Sequence, residues 1–316
     1  MDIGQGISFG SGVSITPNPP SSYKAIFGYG TTNGSNSGRV SMINLVSNTG
    51  VVATDTVGVG TARYALAAAG YGTDKAIFGY GYSNGYVSMT NKVSNTGVVA
   101  TDTTGVGTGR SLLAAAGYGS SGQAIFGYGY AFVSVGTTYS LTNLVSNTGV
   151  VATDTTGVGT ARADLAASGY GTDKAIFGYG TTDFSTNLSL TNLVSNTGVV
   201  GNDVTGVGTA RTSLASAGYG IDKAIFGYGS TGSATAITNL VSNTGVVATD
   251  TTGIGTARSS LAAAGYGVGQ AIFGYGSGGG VRSITNLVSN TGVVATDTTG
   301  VGTARYNLAA ASYGLA

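Results

Sequence analysis

The chain has 316 residues and a net charge of +1, and only 8% of its residues are charged. Hydrophobic residues make up 41%, which indicates a folded chain, and the composition lacks the basic charge that neutralises nucleic-acid phosphates. Cysteine and histidine are absent, so the chain can form no disulfide, zinc finger, thiolate nucleophile or Ser-His-Asp triad. We therefore expect no enzyme, no cofactor, no metal site and no nucleic-acid partner.

Residues 1–22 precede the repeated part of the chain and are predicted to form an arm. The first residues show no secretory signal, and no stretch approaches the roughly 20 apolar residues of a membrane helix. Residues 17–20, Pro-Asn-Pro-Pro, form a stiff spacer. Apolar residues alternate with polar residues or Gly before it, which is typical of a strand that can add to a partner's sheet edge or tuck against its own domain. We favour docking to an assembly partner, through Ile7, Phe9, Val13 and Ile15.

A repeat of about 50 residues occupies residues 23–316. Each copy contains Ala-Ile-Phe-Gly-Tyr-Gly, a variable stretch, Ser-Asn-Thr-Gly, a Gly-rich segment, an Arg and an Ala-rich segment. A period of this length is typical of repeat architectures, so the six copies predict six equivalent structural units. The copies of the first motif begin at Ala25, Ala76, Ala124, Ala175, Ala224 and Ala271.

Each repeat predicts four short strands, which in the second copy are A (66–71), B (75–80), C (89–94) and D (98–102). Strands C and D are joined by Ser-Asn-Thr-Gly, which suits a tight hairpin turn. Glycine occurs 57 times in the chain and interrupts every segment before a helical apolar stripe can develop. Four strands per repeat favour the blades of a β-propeller.

The phase of the repeat predicts a closed ring. The first copy begins at strand B, whereas residues 308–314 form a final strand A without its own B, C and D. The C-terminal strand would thus complete the N-terminal blade and remove both open sheet edges. The predicted fold is all-β: a six-bladed β-propeller of four-stranded antiparallel blades, with residues 1–22 as an arm.

Every repeat contains an Asp followed eight residues later by an Arg. One interpretation is a ring of six carboxylates that binds a metal; the other pairs each Asp at the end of strand D with the Arg that enters strand A of the next blade. Because a catalytic pair is normally unique, we favour structural ion pairs. The pairs are Asp55 and Arg63, Asp102 and Arg110, Asp154 and Arg162, Asp203 and Arg211, Asp250 and Arg258, and Asp297 and Arg305.

The stretches between strands B and C differ in length and content, and variable loops on one face of a rigid scaffold are typical of binding sites. Those of the second to fourth repeats contain aromatic residues, which suit stacking on sugar rings or anchoring an interface. The alternative is that they only cap the blades. The candidate ligand-binding or partner-binding residues are Tyr82, Tyr86, Tyr130, Phe132, Tyr139 and Phe184.

The order of elements in all six copies resembles the kelch repeat: an Arg, a small-residue strand, a strand ending in glycines, a third strand, a turn and a fourth strand. Residues 28–30 are Gly-Tyr-Gly where kelch repeats usually have Gly-Gly, and the characteristic Trp is absent. The resemblance implies a kelch-like six-bladed propeller. The related copper oxidases use His, Tyr and Cys, so their activity does not carry over. Uniform repeats behind a Gly-rich arm are also similar to structural proteins of tailed bacteriophages.

We therefore predict a non-enzymatic structural or adhesion protein, a phage virion component (tail, fibre or capsid-attached) that presents a loop face for binding. Its expected partners are other virion or assembly proteins and a host-surface glycan, without membrane insertion, and its expected location is the virion or the extracellular space. A glycan-binding propeller lectin and a generic protein-interaction scaffold are the alternatives. For a glycosidase-like enzyme, Asp183 is the loop carboxylate that stands apart from the repeat.

Overall fold

The computed structural model describes residues 23–33, 36–132 and 134–315. The predicted arm, with Ile7, Phe9, Val13 and Ile15, lies outside these residues. The described part is all-β, as predicted, and contains a single turn of 3-10 helix, Asn36–Gly38. No helix in these residues has the length and apolar character needed to cross a membrane.

The described residues form six antiparallel three-stranded sheets, numbered here in chain order. Sheet 1 contains β1 (Tyr23–Gly28), β2 (Ile43–Val46) and β20 (Ala309–Leu315); sheet 2 contains β3 (Ala67–Tyr71), β4 (Lys75–Gly79) and β5 (Thr90–Val93). Sheet 3 contains β6 (Ala114–Tyr118), β7 (Gln123–Gly127) and β10 (Thr142–Val145); sheet 4 contains β11 (Ala166–Tyr170), β12 (Lys174–Thr181) and β13 (Asn187–Val194). Sheet 5 contains β14 (Ala215–Tyr219), β15 (Lys223–Gly227) and β16 (Thr238–Val241); sheet 6 contains β17 (Ala262–Tyr266), β18 (Gln270–Gly274) and β19 (Thr285–Val288). A small hairpin consists of β8 (Tyr130–Phe132) and β9 (Gly136–Thr138).

The central strand of each sheet carries Ala-Ile-Phe-Gly, and this segment is fully buried because it has a strand on either side and a neighbouring sheet on either face. Each apolar cluster is shared by two consecutive sheets; Ile77 and Tyr80 of sheet 2, for example, pack with Phe126 of sheet 3. The Gly after the Phe makes room for this ring, since a Cβ at Gly79 would lie 2.7 Å from Cζ of Phe126. The repeat therefore encodes the packing between sheets as well as the strands.

The Ala-rich strands contact one another in a cycle: β3 with β6, β6 with β11, β11 with β14, β14 with β17, β17 with β20, and β20 with β3. Their backbones approach closely, because a Cβ at Gly117 would lie 3.2 Å from the carbonyl oxygen of Gly70. As the phase of the repeat predicts, β20 pairs with β1, with Ala311 opposite Ile26. Small residues are therefore required where the six sheets meet.

The predicted four-stranded sheets are three-stranded. In sheet 2, the segment predicted as strand D joins β5 through two isolated bridges only, Thr90 with Thr103 and Val93 with Val99. The two bridges are spaced unequally along the two segments, so the fourth segment contains one extra residue, as in a β-bulge. Backbone pairing between β5 and the fourth segment is interrupted beside Asn91. There the Asn91 side chain donates its Nδ2–H to a backbone carbonyl of the fourth segment at 3.0 Å.

Backbone hydrogen bonds link the six sheets in a cycle. In each sheet, a residue just before the Ala-rich strand donates a hydrogen bond from its backbone N–H to the backbone carbonyl of the equivalent residue in the preceding sheet. These bonds are 2.7–2.9 Å long. The bond from Ala65 to Asn307 joins sheet 2 to sheet 1 and completes the cycle. Two further sets of backbone hydrogen bonds link neighbouring sheets. In one set the N–H of Gly81 donates to the carbonyl of Arg110, in the other the N–H of Gly72 donates to the carbonyl of Gly122, and equivalent residues make the same bonds in the other sheets. The six residues of the first set, called the ring residues below, are Ala65, Leu112, Asp164, Ser213, Ser260 and Asn307.

A fully buried Arg stands at every junction between sheets. In sheet 4, Arg162 donates Nε–H to the carbonyl of Tyr179 (2.8 Å), Nη1–H to the carbonyl of Thr160 (3.1 Å) and Nη2–H to Oδ1 of Asn192 (2.7 Å). Its guanidinium carbon lies 4.3 Å from the ring centroid of Tyr128, which belongs to sheet 3. The same cation–π contact occurs in all six sheets at 4.3–4.5 Å.

The Asp partner of each Arg differs from the predicted one. Nη1 of Arg162 lies 3.9 Å from Oδ1 of Asp203, whereas Asp154, eight residues before Arg162, pairs with Arg110 at 3.8 Å. The reason is that the segment between Asp154 and Arg162 crosses from one sheet to the next, so each Arg meets the Asp of its own sheet. The observed pairs elsewhere are Arg63 with Asp102 and Arg305 with Asp55, and Arg211 and Arg258 lie in the electrostatic field of Asp250 and Asp297.

Hydrogen bonds hold these Asp carboxylates in the ionised form. Burial alone would raise the pKa of Asp203, but hydrogen bonds from Thr160 and Asn192 outweigh it and keep the pKa below its ordinary value. Burial lowers the pKa of Arg162, and the charge of Asp203 opposes that shift. In sheet 4, the Asp side chain therefore anchors the chain segment ahead of the Arg, while the backbone carbonyls and the Asn satisfy the guanidinium. In sheet 6, the equivalent Nη2 of Arg258 and Oδ1 of Asn286 are buried without a hydrogen-bond partner.

We expect Arg162→Ala to lower the free energy of unfolding by about 3–5 kcal/mol, because it leaves a buried network of acceptors without a donor. Urea denaturation followed by tyrosine fluorescence measures the loss. Arg282→Ala, at an exposed Arg of the loop after β18, is the control and should change stability by about 0.5 kcal/mol or less. Equal midpoints for the two variants would show that the buried Arg does not hold the sheets together.

Candidate functional site

The ring residues form the floor of a cavity of about 460 Å³, called the ring cavity below. One wall consists of aromatic side chains from the loops that follow the central strands and from the segment after Arg63. The rest of the lining is mainly polar, with hydroxyl, amide and carboxylate groups. The cavity therefore has one apolar side and one hydrogen-bonding side. The aromatic wall, called the aromatic row below, is formed by Tyr64, Tyr82, Tyr86, Tyr130 and Phe184.

The rings of the aromatic row contact one another in sequence. Their centroids are 5.6 Å apart for Tyr64 and Tyr82, 5.1 Å for Tyr82 and Tyr86, 5.9 Å for Tyr86 and Tyr130, and 4.9 Å for Tyr130 and Phe184. The last three contacts are edge-to-face, which is a favourable geometry for aromatic pairs. The row is thus a continuous aromatic surface rather than a set of isolated side chains.

The structure brings together four of the six aromatic residues that the sequence singled out: Tyr82, Tyr86, Tyr130 and Phe184. Phe132 is 58% exposed, and its backbone N–H donates to the hydroxyl of Tyr86. Tyr139 is half-buried and lies in the electrostatic field of Arg110. These two residues do not belong to the row.

Tyr64 and Asp164 line the ring cavity and were missed by the sequence analysis. Tyr64 directly follows a buried Arg, at a position where most other repeats have Ser, Ala or Thr. Asp164 follows its Arg by two residues, at a position where the other repeats have Ala, Leu, Ser or Asn. Both signals are deviations from the repeat that lie outside the variable stretch between strands B and C.

The backbone of the ring residues is strained, because φ lies in the left-handed region, between 51° and 55°, at all six positions. None of them is glycine, so each carries a conformational cost of about 1–3 kcal/mol. Asp and Asn tolerate this region better than Leu or Ala, which suits Asp164 and Asn307. The hydrogen-bonded cycle fixes this backbone and thereby fixes the floor of the cavity.

The loops around the aromatic row are tied to their neighbours. Arg39 of the sheet 1 loop donates Nη2–H to Oδ1 of Asn84 at 2.8 Å and Nη1–H to the carbonyl of Ser83. The hydroxyl of Thr138 donates to the carbonyl of Thr182 at 3.2 Å, which joins the loops of sheets 3 and 4. These contacts pre-organise the wall, so little side-chain freedom remains to be lost when a ligand binds.

Asp164 is the carboxylate that lines the ring cavity. Burial raises its pKa from 3.8 to about 6, and a hydrogen bond from the Ser213 side chain opposes the shift without cancelling it. Within the described ranges, no Lys or Arg lies within ion-pair distance of this carboxylate. Asp203 has a pKa lowered by its partners, whereas Asp164 has a raised pKa and no cationic partner among the described residues.

Asp183, the carboxylate that the sequence set apart, is engaged in its own loop. Its Oδ1 accepts hydrogen bonds from the backbone N–H groups of Ser185 (3.0 Å) and Thr186 (2.6 Å), which lower its pKa to about 2. An exposed carboxylate held ionised in this way is a loop-stabilising group rather than a proton donor. In the described part of the chain, no three His, Cys, Asp or Glu residues cluster as metal ligands.

A second cavity of about 610 Å³ is lined by the Ala-rich strands and by the turns at their far ends. Alanine and glycine dominate its walls, and Lys75, Lys174 and Lys223 lie at its margin. Lys75 is neutralised by Asp74 at 2.7 Å, and Lys174 lies 3.8 Å from Asp173. Tyrosines from the ends of the Ala-rich strands also line this cavity, but in the described residues their rings do not contact one another, so it lacks the continuous aromatic surface of the ring cavity.

We expect Asp164→Asn to stabilise the protein above about pH 6 and to have no such effect below pH 3.8. The folded state holds the Asp164 proton more tightly than the unfolded state, so the stability this proton contributes is complete below pH 3.8 and is lost as pH rises through about 6. Asparagine stays neutral. The expected gain is about 1 kcal/mol, less than the full pKa difference would give, because the cavity opens to water.

Thermal denaturation at several pH values measures this effect. Asp183→Asn is the matched control: the folded-state pKa of Asp183 is lowered, so its replacement should give no gain in stability at any pH. A wild-type and an Asp164→Asn protein with the same stability–pH profile would contradict the assignment of an uncompensated carboxylate.

Comparisons with known proteins bear on the fold. No protein-family profile matches the sequence, and no curated protein matches it either. Among solved structures, the chain is similar to the structure of YjhT, with a TM-score of 0.60 and 12% sequence identity over 79% of this chain and 87% of that one. At this identity the similarity concerns the fold alone. Together with the repeated small sheets, it indicates a propeller-like fold.

Proposed function

We propose that the chain is a closed six-bladed β-propeller that acts as a non-enzymatic adhesion protein and binds carbohydrate in the ring cavity. The cycle of backbone hydrogen bonds and the pairing of β1 with β20 support closure. The order of elements in the repeat supports a kelch-like blade whose outer segment is bulged. Closure matters for function, because it brings the six ring residues together beside the loops that follow the central strands of sheets 2 to 4.

The observation that carries the proposal is the two-sided lining of the ring cavity. A sugar ring has an apolar face of C–H groups and an equator of hydroxyls, so it is recognised by an aromatic surface together with hydrogen-bonding groups. The aromatic row supplies the first, and Ser213, Ser260, Asn307 and Asp164 supply the second. A volume of about 460 Å³ is in the usual range for small-molecule sites. A short saccharide is therefore the ligand class that fits best.

The carboxylates favour binding over hydrolysis. Most glycosidases use a pair of Asp or Glu residues on either side of the scissile bond. Among the described residues that line the ring cavity, Asp164 is the sole carboxylate, and Asp183 is engaged by backbone N–H groups of its own loop. The cavity thus lacks a second carboxylate to act as nucleophile or base.

The setting of this adhesion protein remains a prediction from the sequence. The uniform repeats and the Gly-rich arm support a virion component of a tailed phage, located on the virion or outside the cell. In that setting the arm would join the protein to other virion proteins, and the ring cavity would face a host-surface glycan. A protein-interaction scaffold is less well supported, since a concave cavity of this size suits a small ligand better than it suits a flat protein surface.

Closure can be tested by deleting residues 309–316, which removes β20. We expect the deletion to abolish cooperative folding, because it exposes the backbone edge of β1 and breaks the cycle of hydrogen bonds at sheet 1. Size-exclusion chromatography and thermal denaturation would detect aggregation and the loss of the transition. A monomer that still melts at the wild-type temperature would rule out a ring closed by the C-terminal strand.

Carbohydrate binding can be tested with a pair of phenylalanine variants. We expect Phe184→Ala to weaken binding of a glycan-array hit by about tenfold, because it removes an aromatic surface worth about 1 kcal/mol or more. Phe132→Ala is the control, since Phe132 is similarly exposed (58%, against 52% for Phe184) but lies outside the aromatic row. The absence of any hit on the array, or equal losses in the two variants, would refute the proposed site.

A further inference from the structure

The ring cavity contains a negative charge without a counter-ion. Asp164 lies in its lining and receives a hydrogen bond from the Ser213 side chain. In the described residues, no cationic side chain lies within 4 Å of the carboxylate. Arg39, on the loop beside the aromatic row, is directed to Ser83 and Asn84. A recessed carboxylate that the protein leaves uncompensated is costly, and a cation supplied from outside would remove that cost.

The scaffold itself does not require a carboxylate at this position. The equivalent residues in the other sheets include Ala65, Leu112 and Ser260, and they make the same backbone hydrogen bonds at similar φ. The repeated Asp residues, such as Asp203, have Asn, Thr and Arg partners that account for their presence. Asp164 therefore adds a charge to the cavity beyond what the fold needs.

The aromatic row also favours a cation. The negatively polarised faces of tyrosine rings attract ammonium groups, and the aromatic row contributes four tyrosines to the cavity. A carboxylate and aromatic rings that line the same cavity are a combination suited to binding alkylammonium ions. A neutral sugar would use the hydrogen-bonding groups and the aromatic surface, but it would leave the charge of Asp164 uncompensated.

We propose that the ring cavity selects saccharides that carry a protonated amine, with Asp164 as the counter-ion and the aromatic row against the sugar face. This inference rests on the proposed carbohydrate-binding function and specifies its ligand class as amino sugars with a free amine. The selective contact is the ion pair between the sugar ammonium and Asp164, reinforced by the tyrosine rings.

The ion pair makes binding pH-dependent. The titratable groups that line the cavity are Asp164 and the four tyrosines of the aromatic row, and burial raises the pKa of Tyr64 and Tyr86 above the ordinary value. The affinity for an amino sugar should fall as pH drops through about 6, where Asp164 takes up a proton. A neutral sugar should show no such decrease.

The test compares two trisaccharides with the same backbone and linkage, a glucosamine trimer and an N-acetylglucosamine trimer, which differ in the charge of the amine. Isothermal titration at about pH 7, where the carboxylate is ionised, should show the glucosamine trimer bound at least about tenfold more tightly. Asp164→Asn should abolish this preference, so that the ratio of the two affinities falls to about one. Asp183→Asn, which removes a carboxylate outside the cavity, should retain the preference and control for nonspecific charge attraction.

The outcomes separate the two proposals. If both trimers bind with equal affinity and Asp164→Asn changes neither, the selection for an amine is wrong while carbohydrate binding stands. If Asp183→Asn lowers the preference as much as Asp164→Asn, the attraction is a general surface effect and the inference fails. If neither trimer nor any other saccharide binds to the folded protein, both the proposed function and this inference are overturned.

Discussion

The buried guanidinium at each junction is the interaction on which the rest of the structure depends. Each such Arg is inaccessible to water, so its charge must be met by the protein, and the groups that meet it come from several segments of one sheet and from the tyrosine of the sheet before. A buried charge left without partners would cost several kcal/mol. The geometry of neighbouring sheets is thereby constrained, and the constraint is repeated at all six junctions. Where Arg305 meets Tyr29 and Asn44, it joins the two ends of the chain in the same way.

Close packing sets the second constraint. The ring of Phe126 fits against Gly79, and the Ala-rich strands approach so closely that a larger side chain would collide with a neighbouring backbone. The small residues that make the sequence look simple are thus placed by steric need. Because this packing leaves no room for variation inside the sheets, the differences between repeats are concentrated in the loops and at a few positions near the ring. The aromatic row and Asp164 both arise from such differences.

Much of the fold could be predicted from the sequence, because strand signals and repeat phase are local properties. The pairing of β20 with β1 follows from the phase, and the central strands follow from Ala-Ile-Phe-Gly. The partner of each Arg could not be predicted in this way. Asp154 and Arg162 are near in sequence but belong to different sheets, and only the three-dimensional arrangement brings Arg162 to Asp203. The loss of a regular fourth strand could not be predicted either. In sheet 2, the Asn91 side chain makes a hydrogen bond to the fourth segment where backbone pairing would be needed to form that strand.

The middle position of β1 in sheet 1 has a mechanical consequence. The chain upstream of Tyr23 leads directly into a strand that is hydrogen-bonded to β2 on one side and to β20 on the other. A pulling force applied through the upstream chain would load both ladders together, whereas a tether attached to an edge strand would peel a single ladder away. Unfolding by a force applied through this chain end would therefore meet more resistance than unfolding by a force applied at a sheet margin.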